Sequence, residues 1–241
     1  MSWRDRPYAG PEYGGPPELR IQFRRPSSAV GWLIAINVAA FFLDLLAQSA
    51  LQVRTHLLLG LSLRGIASLF LWQPITYMFI HGGVFHLLIN MLMLYVCGTE
   101  FERAFGGRRF LKFYFACGVV GGLAYLGFAA IKPVYAAVPL IGASGAGYGL
   151  LMAAVIFFPH IQVILFIIPM PIRVFALIVL GILLMLLLSP GGLPNPGGEV
   201  CHVAGAVAAL GIFRRWGVMP QITIGSGSGL PGRSFLGAIR R

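Results

Sequence analysis

Apolar residues run along this chain in long stretches separated by short polar or Pro/Gly-rich segments, and the lengths of the stretches define its elements. The first runs from Val30 to Leu46, interrupted by Asn37 and Asp44. Extended to Ala50, it reaches the roughly 20 residues that a membrane-crossing helix requires. No charged residue occurs from Gly65 to Thr99, a stretch too long for one helix and broken by Pro74, Gly82 and Gly83. Its first part, around Leu69 to Phe79, carries Trp72 and Tyr77, aromatics suited to a membrane interface. Its second part, Phe85 to Gly98, predicts a second span. Leu111 to Ala130 predicts a third, with Gly118 and Gly122 spaced for close helix packing. Ala143 to Pro159 predicts a fourth span, followed by a short apolar segment at 161–170 that Pro169 and Pro171 close. Val174 to Leu188 predicts a fifth, a Pro/Gly-rich loop occupies 190–198, and Glu199 to Ile212 predicts a sixth. The expected architecture is an all-α membrane protein, a six-transmembrane-helix bundle over 28–216, between flexible tails at 1–27 and 217–241.

Composition supports this reading. The 241 residues are 58 % hydrophobic and 10 % charged, where soluble domains average about 45–50 % apolar and roughly 25 % charged. Mean hydropathy is +0.83. A soluble fold would have too few charges for its surface, which excludes a typical cytosolic enzyme, a disordered chain and a soluble coiled coil. Net charge is +11. In a soluble protein that balance would suggest nucleic acid, but here the basic residues flank apolar runs and act as topology determinants, so no nucleic-acid partner is expected. One side of the six-span map collects Arg4, Arg6, Arg20, Arg24, Arg25, Arg103, Arg108, Arg109, Lys112, Arg173, Arg214, Arg215, Arg233, Arg240 and Arg241. The other side has Arg54, Arg64 and Lys132. Both termini are therefore expected in the cytoplasm. The first apolar run begins too late and extends too far for a cleaved signal peptide. Cys97, Cys117 and Cys201 have no metal-ligand spacing, and three cysteines give no disulfide framework, so each is read as filling space in an apolar helix.

A polar group in hydrocarbon is costly unless it finds a partner, which draws attention to His81, His86, Asn90, Ser144, Tyr148 and His202. Ser144 sits in Gly142-Ala143-Ser144-Gly145-Ala146-Gly147, where small neighbours leave the hydroxyl reachable and permit an unusual turn into the fourth helix. A helix amino terminus there would aim free N–H groups at developing negative charge, which suits a serine nucleophile. Taken alone, Gly-x-Ser-Gly in a membrane helix is usually a tight packing face. His202, Gly205 and Ala209 share one helical face, which would hold His202 at a fixed depth as a base for Ser144, or as an interfacial histidine bonded to backbone. His86 and Asn90 are one turn apart and can donate hydrogen bonds without fixed negative charge, as an oxyanion site requires. His81 precedes that helix and is read as holding the loop. A metal site of His81, His86 and His202 lacks nearby carboxylates and is not expected; no cofactor is expected either. No acidic third member has an evident role beside His202, so the pair is read as a dyad.

Together these residues resemble the rhomboid family of intramembrane serine proteases over residues 30–212. Four elements carry the resemblance: His81-Gly82-Gly83-Val84-Phe85-His86-Leu87-Leu88-Ile89-Asn90, Gly98-Thr99-Glu100-Phe101-Glu102-Arg103-Ala104-Phe105-Gly106, Gly142-Ala143-Ser144-Gly145 with Tyr148 one turn on, and His202-Val203-Ala204-Gly205. The resemblance implies a six-helix core with a Ser144–His202 dyad below the membrane surface. It implies an oxyanion group of His86, Asn90 and the Ser144 N–H, with Tyr148 packed on the histidine. His81, Glu102, Gly142, Gly145 and Gly205 fall in supporting positions. Implied substrates are other transmembrane proteins, cut near the outer interface, with membrane lipids as surroundings. The setting would be the inner (cell) membrane of a bacterium. Trp72-Gln73 stands where the family usually has Trp-Arg in its first external loop, and Ala209 stands where it often has glycine. Two alternatives differ in chemistry: a non-catalytic rhomboid-like protein that binds membrane clients, and a small transporter or channel, which would need more internal ionisable residues.

Overall fold

The structure, a computed structural model, describes residues 28–165, 168–187 and 196–218. The expected tails at 1–27 and 217–241 lie outside the described residues except for 217–218, as does most of the expected loop at 190–198. The described chain is a helical bundle with one small β-ribbon. Four helices are long and apolar enough to cross a membrane: α1 (Ala29–Leu51), α5 (Val84–Phe105), α6 (Gly107–Ile131) and α9 (Pro196–Trp216). Two shorter apolar helices, α7 (Ser144–Phe157) and α8 (Ile172–Leu187), lie between α6 and α9 in the chain. Each of the six apolar runs thus forms a helix, and among the described residues four of these helices are long and apolar enough to span. The helix α7 has 14 residues, about 21 Å at 1.5 Å per residue, against a hydrocarbon core of about 30 Å. Large apolar side chains such as Leu43, Leu45, Leu46, Leu177 and Leu180 are exposed on α1 and α8, as suits faces that meet lipid rather than water.

Helix ends need partners for their orphan donors, above all where no water reaches. At the start of α1 the Ser28 hydroxyl accepts from the Gly31 N–H at 3.0 Å. The Glu102 carboxylate, from α5, accepts from the Ala29 and Val30 N–H groups at 2.7 and 3.0 Å. Glu102 is therefore a cap that ties α1 to α5. The helix α9 starts at Pro196, inside the segment whose Pro/Gly content predicts a loop. Proline suits a first helical position because its missing N–H is one of the orphans, and Gly197 lets α9 begin against the Tyr125 ring of α6, where a Cβ would lie 2.4 Å away.

Between α1 and α5 the interfacial stretch folds into α2 (Thr55–Leu59), α3 (Leu63–Ala67), α4 (Gln73–Thr76) and a 3-10 turn at Tyr77–Phe79. Gln73, fully buried, organises it. Its Oε1 accepts from the Ser62 N–H at 3.1 Å, and its Nε2 donates to the Leu57 and Leu58 carbonyls at 3.1 and 3.3 Å. Trp72 Nε1 donates to the Leu58 carbonyl at 2.8 Å. The loop is thus anchored through Gln73, without an arginine. The segment also receives Gly118 and Gly122, which pack on Met78 and on Leu61 and Tyr77 rather than on another spanning helix. The Tyr77 hydroxyl donates to the Gly118 carbonyl at 2.7 Å.

Helices α6, α7 and α9 pack at the centre. A Cβ on Gly205 would lie 2.0 Å from the Gly145 carbonyl oxygen, so α7 and α9 touch backbone to backbone there. Cys97, Cys117 and Cys201 are free and buried. At the opposite end of α7 from Ser144, Phe101, Phe113 and Phe213 stack, with Phe113 and Phe213 at 5.2 Å and 13°. The apolar segment at 161–170 forms an antiparallel ribbon of β1 (Gln162–Leu165) and β2 (Ile168–Pro171), with Val163 opposite Met170.

Candidate functional site

The chain reaches Ser144 along a path set by the loop between α1 and α5. Leu140 exchanges backbone hydrogen bonds with Leu61 at 2.7 and 2.9 Å, and the Gly142 N–H donates to the Tyr77 carbonyl at 2.9 Å. Gly142 then takes φ +112, a conformation open to glycine. A Cβ there would also meet the His86 ring, 2.7 Å from Nε2. Ser144 is the first residue of α7. The first hydrogen bond of its opening turn runs from the Gly147 N–H to the Ala143 carbonyl at 3.0 Å. The N–H groups of Ser144, Gly145 and Ala146 precede it and have no acceptor within the helix. Beside the serine hydroxyl lies a set of aligned donors with the positive end of a helix behind them.

His202, near the start of α9, meets that hydroxyl: its Nε2 lies 2.8 Å from Ser144 Oγ. On the other side of the ring, Nδ1 lies 2.9 Å from Glu199 Oε2. A carboxylate only accepts, so in the neutral ring Nδ1 carries the proton and donates. Nε2 then presents its lone pair, and the Ser144 hydroxyl donates to it. Tyr148, one turn along α7, stacks on the imidazole at 4.3 Å with ring planes 3° apart. The close approach at Gly145 and Gly205 places these side chains within reach across α7 and α9.

The α5 residues approach from a third side. His86 Nδ1 accepts from the Gly82 N–H at 3.3 Å, which leaves the proton of a neutral ring on Nε2, the atom beside Gly142. The buried Asn90 amide donates to the His86 carbonyl at 2.8 Å, spending one of its donors within its own helix. His81, 2 % exposed, meets His86 edge-on at 5.1 Å. Burial, with His86 beside it, pushes its imidazole down to about 4, so it stays neutral near pH 7.

The structure therefore gathers Ser144, His202, Tyr148, Gly142, Gly145, Gly205 and His86, with Asn90 and His81 adjoining His86 and Glu102 at the other end of α5. Among the described residues no group of three or more His, Cys, Asp or Glu could hold a metal ion. The reading that no acidic residue attends His202 is corrected by Glu199. The signal that could have found it is the spacing Glu199-x-x-His202, which puts both on one helical face; read from sequence, Glu199 serves only as the start of the sixth span.

Comparison with known proteins bears on this geometry. Residues 69–217 match the family model described as Rhomboid domain. Rhomboid protease GluP of Bacillus subtilis is 34 % identical over 121 residues, covering 50 % of this chain and 22 % of that protein. Rhomboid protein 1, mitochondrial, of Saccharomyces cerevisiae is 30 % identical over 153 residues, covering 61 % of this chain and 41 % of the relative. RHOMBOID-like protein 5 of Arabidopsis thaliana is 28 % identical over 177 residues, 59 % of this chain and 56 % of its own length. The chain thus spans between about a fifth and just over half of the length of these relatives.

Proposed function

The chain belongs to the rhomboid family, and from that premise we propose that it is an intramembrane serine endopeptidase with Ser144 as nucleophile and His202 as base. The observation that carries the reading is the 2.8 Å contact between Ser144 Oγ and His202 Nε2. As Oγ attacks a peptide carbonyl, its proton passes to Nε2 and an Oγ–C bond forms. The tetrahedral oxygen is held by the Ser144 N–H and by donors from His86 Nε2 and Asn90. The C–N bond then breaks, and the proton moves from Nε2 to the leaving amine. Water attacks the acyl-enzyme, with His202 again as base, and frees Ser144.

The substrate class is a transmembrane protein whose helix unwinds near the outer interface. A helix as short as α7 supports this placement: anchored at its far end, it begins below the opposite membrane surface, and Ser144 begins with it. We place six spans over 28–216, with the tails at 1–27 and 217–241 in the cytoplasm and the site open toward the other side, in the cell membrane of a bacterium. The experiment is cleavage of a purified transmembrane substrate in liposomes. Wild type should cut it, and Ser144→Ala and His202→Ala should not, while all three remain folded. Cleavage by folded Ser144→Ala at the wild-type rate would remove the assignment.

A further inference from the structure

We infer that Glu199 is a positioning residue for His202, making the site a Ser144–His202–Glu199 relay rather than a two-residue one; the inference rests on the serine-protease reading above. Three observations carry it. Glu199 and His202 lie three residues apart on the first turns of α9, so one helical face presents both. The carboxylate oxygen Oε2 lies 2.9 Å from Nδ1 while Nε2 lies 2.8 Å from Ser144 Oγ, so the imidazole is held at both nitrogens along one line of hydrogen bonds. The two side chains are only 18 % and 21 % exposed, so water competes weakly for either.

An acidic residue in a first helical turn has a simpler use, since it complements the positive end of the helix. That use is met by a carboxylate turned toward the α9 amino terminus. It does not require contact with Nδ1 of His202, the ring that meets the Ser144 hydroxyl. The contact has two chemical consequences. It fixes the tautomer: with the proton on Nδ1, the Nε2 lone pair faces Ser144. It also places a negative group beside the ring when Nε2 takes the serine proton and the ring becomes positive. The Nδ1 proton stays on Nδ1 throughout, and the proton in transit travels only from Oγ to Nε2 and on to the leaving amine. Tyr148, stacked on the ring face, restrains the remaining rotation.

The full chain in liposomes is compared as wild type, Glu199→Ala, Glu199→Gln, Glu199→Asp, Ser144→Ala and His202→Ala, reading kcat, KM and thermal unfolding. Glu199→Gln is the decisive variant because it keeps size and shape. Its amide can donate to Nδ1 and so favour the wrong tautomer. Loss of the correct tautomer costs roughly ten-thousandfold in kcat in a serine-protease triad; here Glu199→Gln and Glu199→Ala should lose about a hundredfold or more in kcat, with KM within about twofold and the unfolding midpoint of Glu199→Gln unchanged. Glu199→Asp should recover part of the loss. Nitrogen-15 spectra of selectively labelled histidine should show His202 of the wild type protonated at Nδ1. A kcat for Glu199→Gln and Glu199→Ala within about threefold of wild type, with Ser144→Ala and His202→Ala inactive, would overturn the role of Glu199 and leave the serine-protease reading standing. A neutral His202 protonated at Nε2 instead would overturn it as well. Wild-type cleavage by Ser144→Ala would instead remove the reading on which the role rests.

Discussion

At Gly142 the path of the chain and the shape of the site depend on the same missing atom. Its φ of +112 is open to glycine, and the space where a Cβ would stand is filled by the His86 ring at 2.7 Å. Gly142→Ala should therefore displace His86 and shift Ser144. The backbone strain alone is about 1–2 kcal/mol, and a comparable loss of transition-state stabilisation amounts to roughly tenfold in rate. The expected outcome is a drop of at least that size in kcat with a lower unfolding midpoint, and wild-type kinetics in the folded variant would contradict it. Ser144, His202 and His86 were legible in the sequence because polar groups in apolar runs demand a reason. Glu199 was not, because one acidic residue at the edge of a span also satisfies the rule that charges stay near the interface. Nor was the use of Gln73, whose carbonyl partners at Leu57 and Leu58 lie 16 and 15 residues earlier in the chain. Only the fold brings them together.

Among elements, the contact of α7 with α9 aligns the serine with the histidine. Gly205 lies against the Gly145 carbonyl, where even a methyl group would overlap backbone. Gly205→Ala should force the two helices apart at an overpacking cost of about 1–3 kcal/mol. The control lies on the same helix: Gly211 faces open space, and there alanine is the better helix former by about 1 kcal/mol. Unfolding in detergent should show Gly205→Ala less stable than wild type and Gly211→Ala equal or more stable. Equal stability of the two variants would contradict the close packing. The apolar runs foretold every long helix, since run length is read directly along the chain. They did not foretell what each small residue touches. The pair Gly118 and Gly122 has the spacing of a helix-packing motif, yet it receives Met78 and Tyr77 from a loop. The run at 161–170 is too short to fix its own structure by pattern, and it pairs as a ribbon. The start of α9 lay hidden in a Pro/Gly-rich stretch because Pro196 at a helix start and Pro in a loop look alike in sequence.

For the molecule as a whole, the orientation proposed for the bundle rests on the side to which its basic residues fall. With six spans, single cysteines placed in the two tails of a variant lacking Cys97, Cys117 and Cys201 should react with an impermeant thiol reagent from one side only, the cytoplasmic side; labelling from opposite sides would contradict the map. The family was legible because four separated motifs fall in order along the apolar runs, whereas the contact of Glu199 with His202 needed three-dimensional placement. If Ser144 is a nucleophile activated by His202, the folded protein in liposomes should react with a fluorophosphonate at that serine, the adduct being located by mass spectrometry. The expected result is one adduct, on Ser144, absent from Ser144→Ala and strongly slowed in His202→Ala. Equal labelling of folded Ser144→Ala, or an unlabelled wild type that also fails to cut transmembrane substrates, would contradict it.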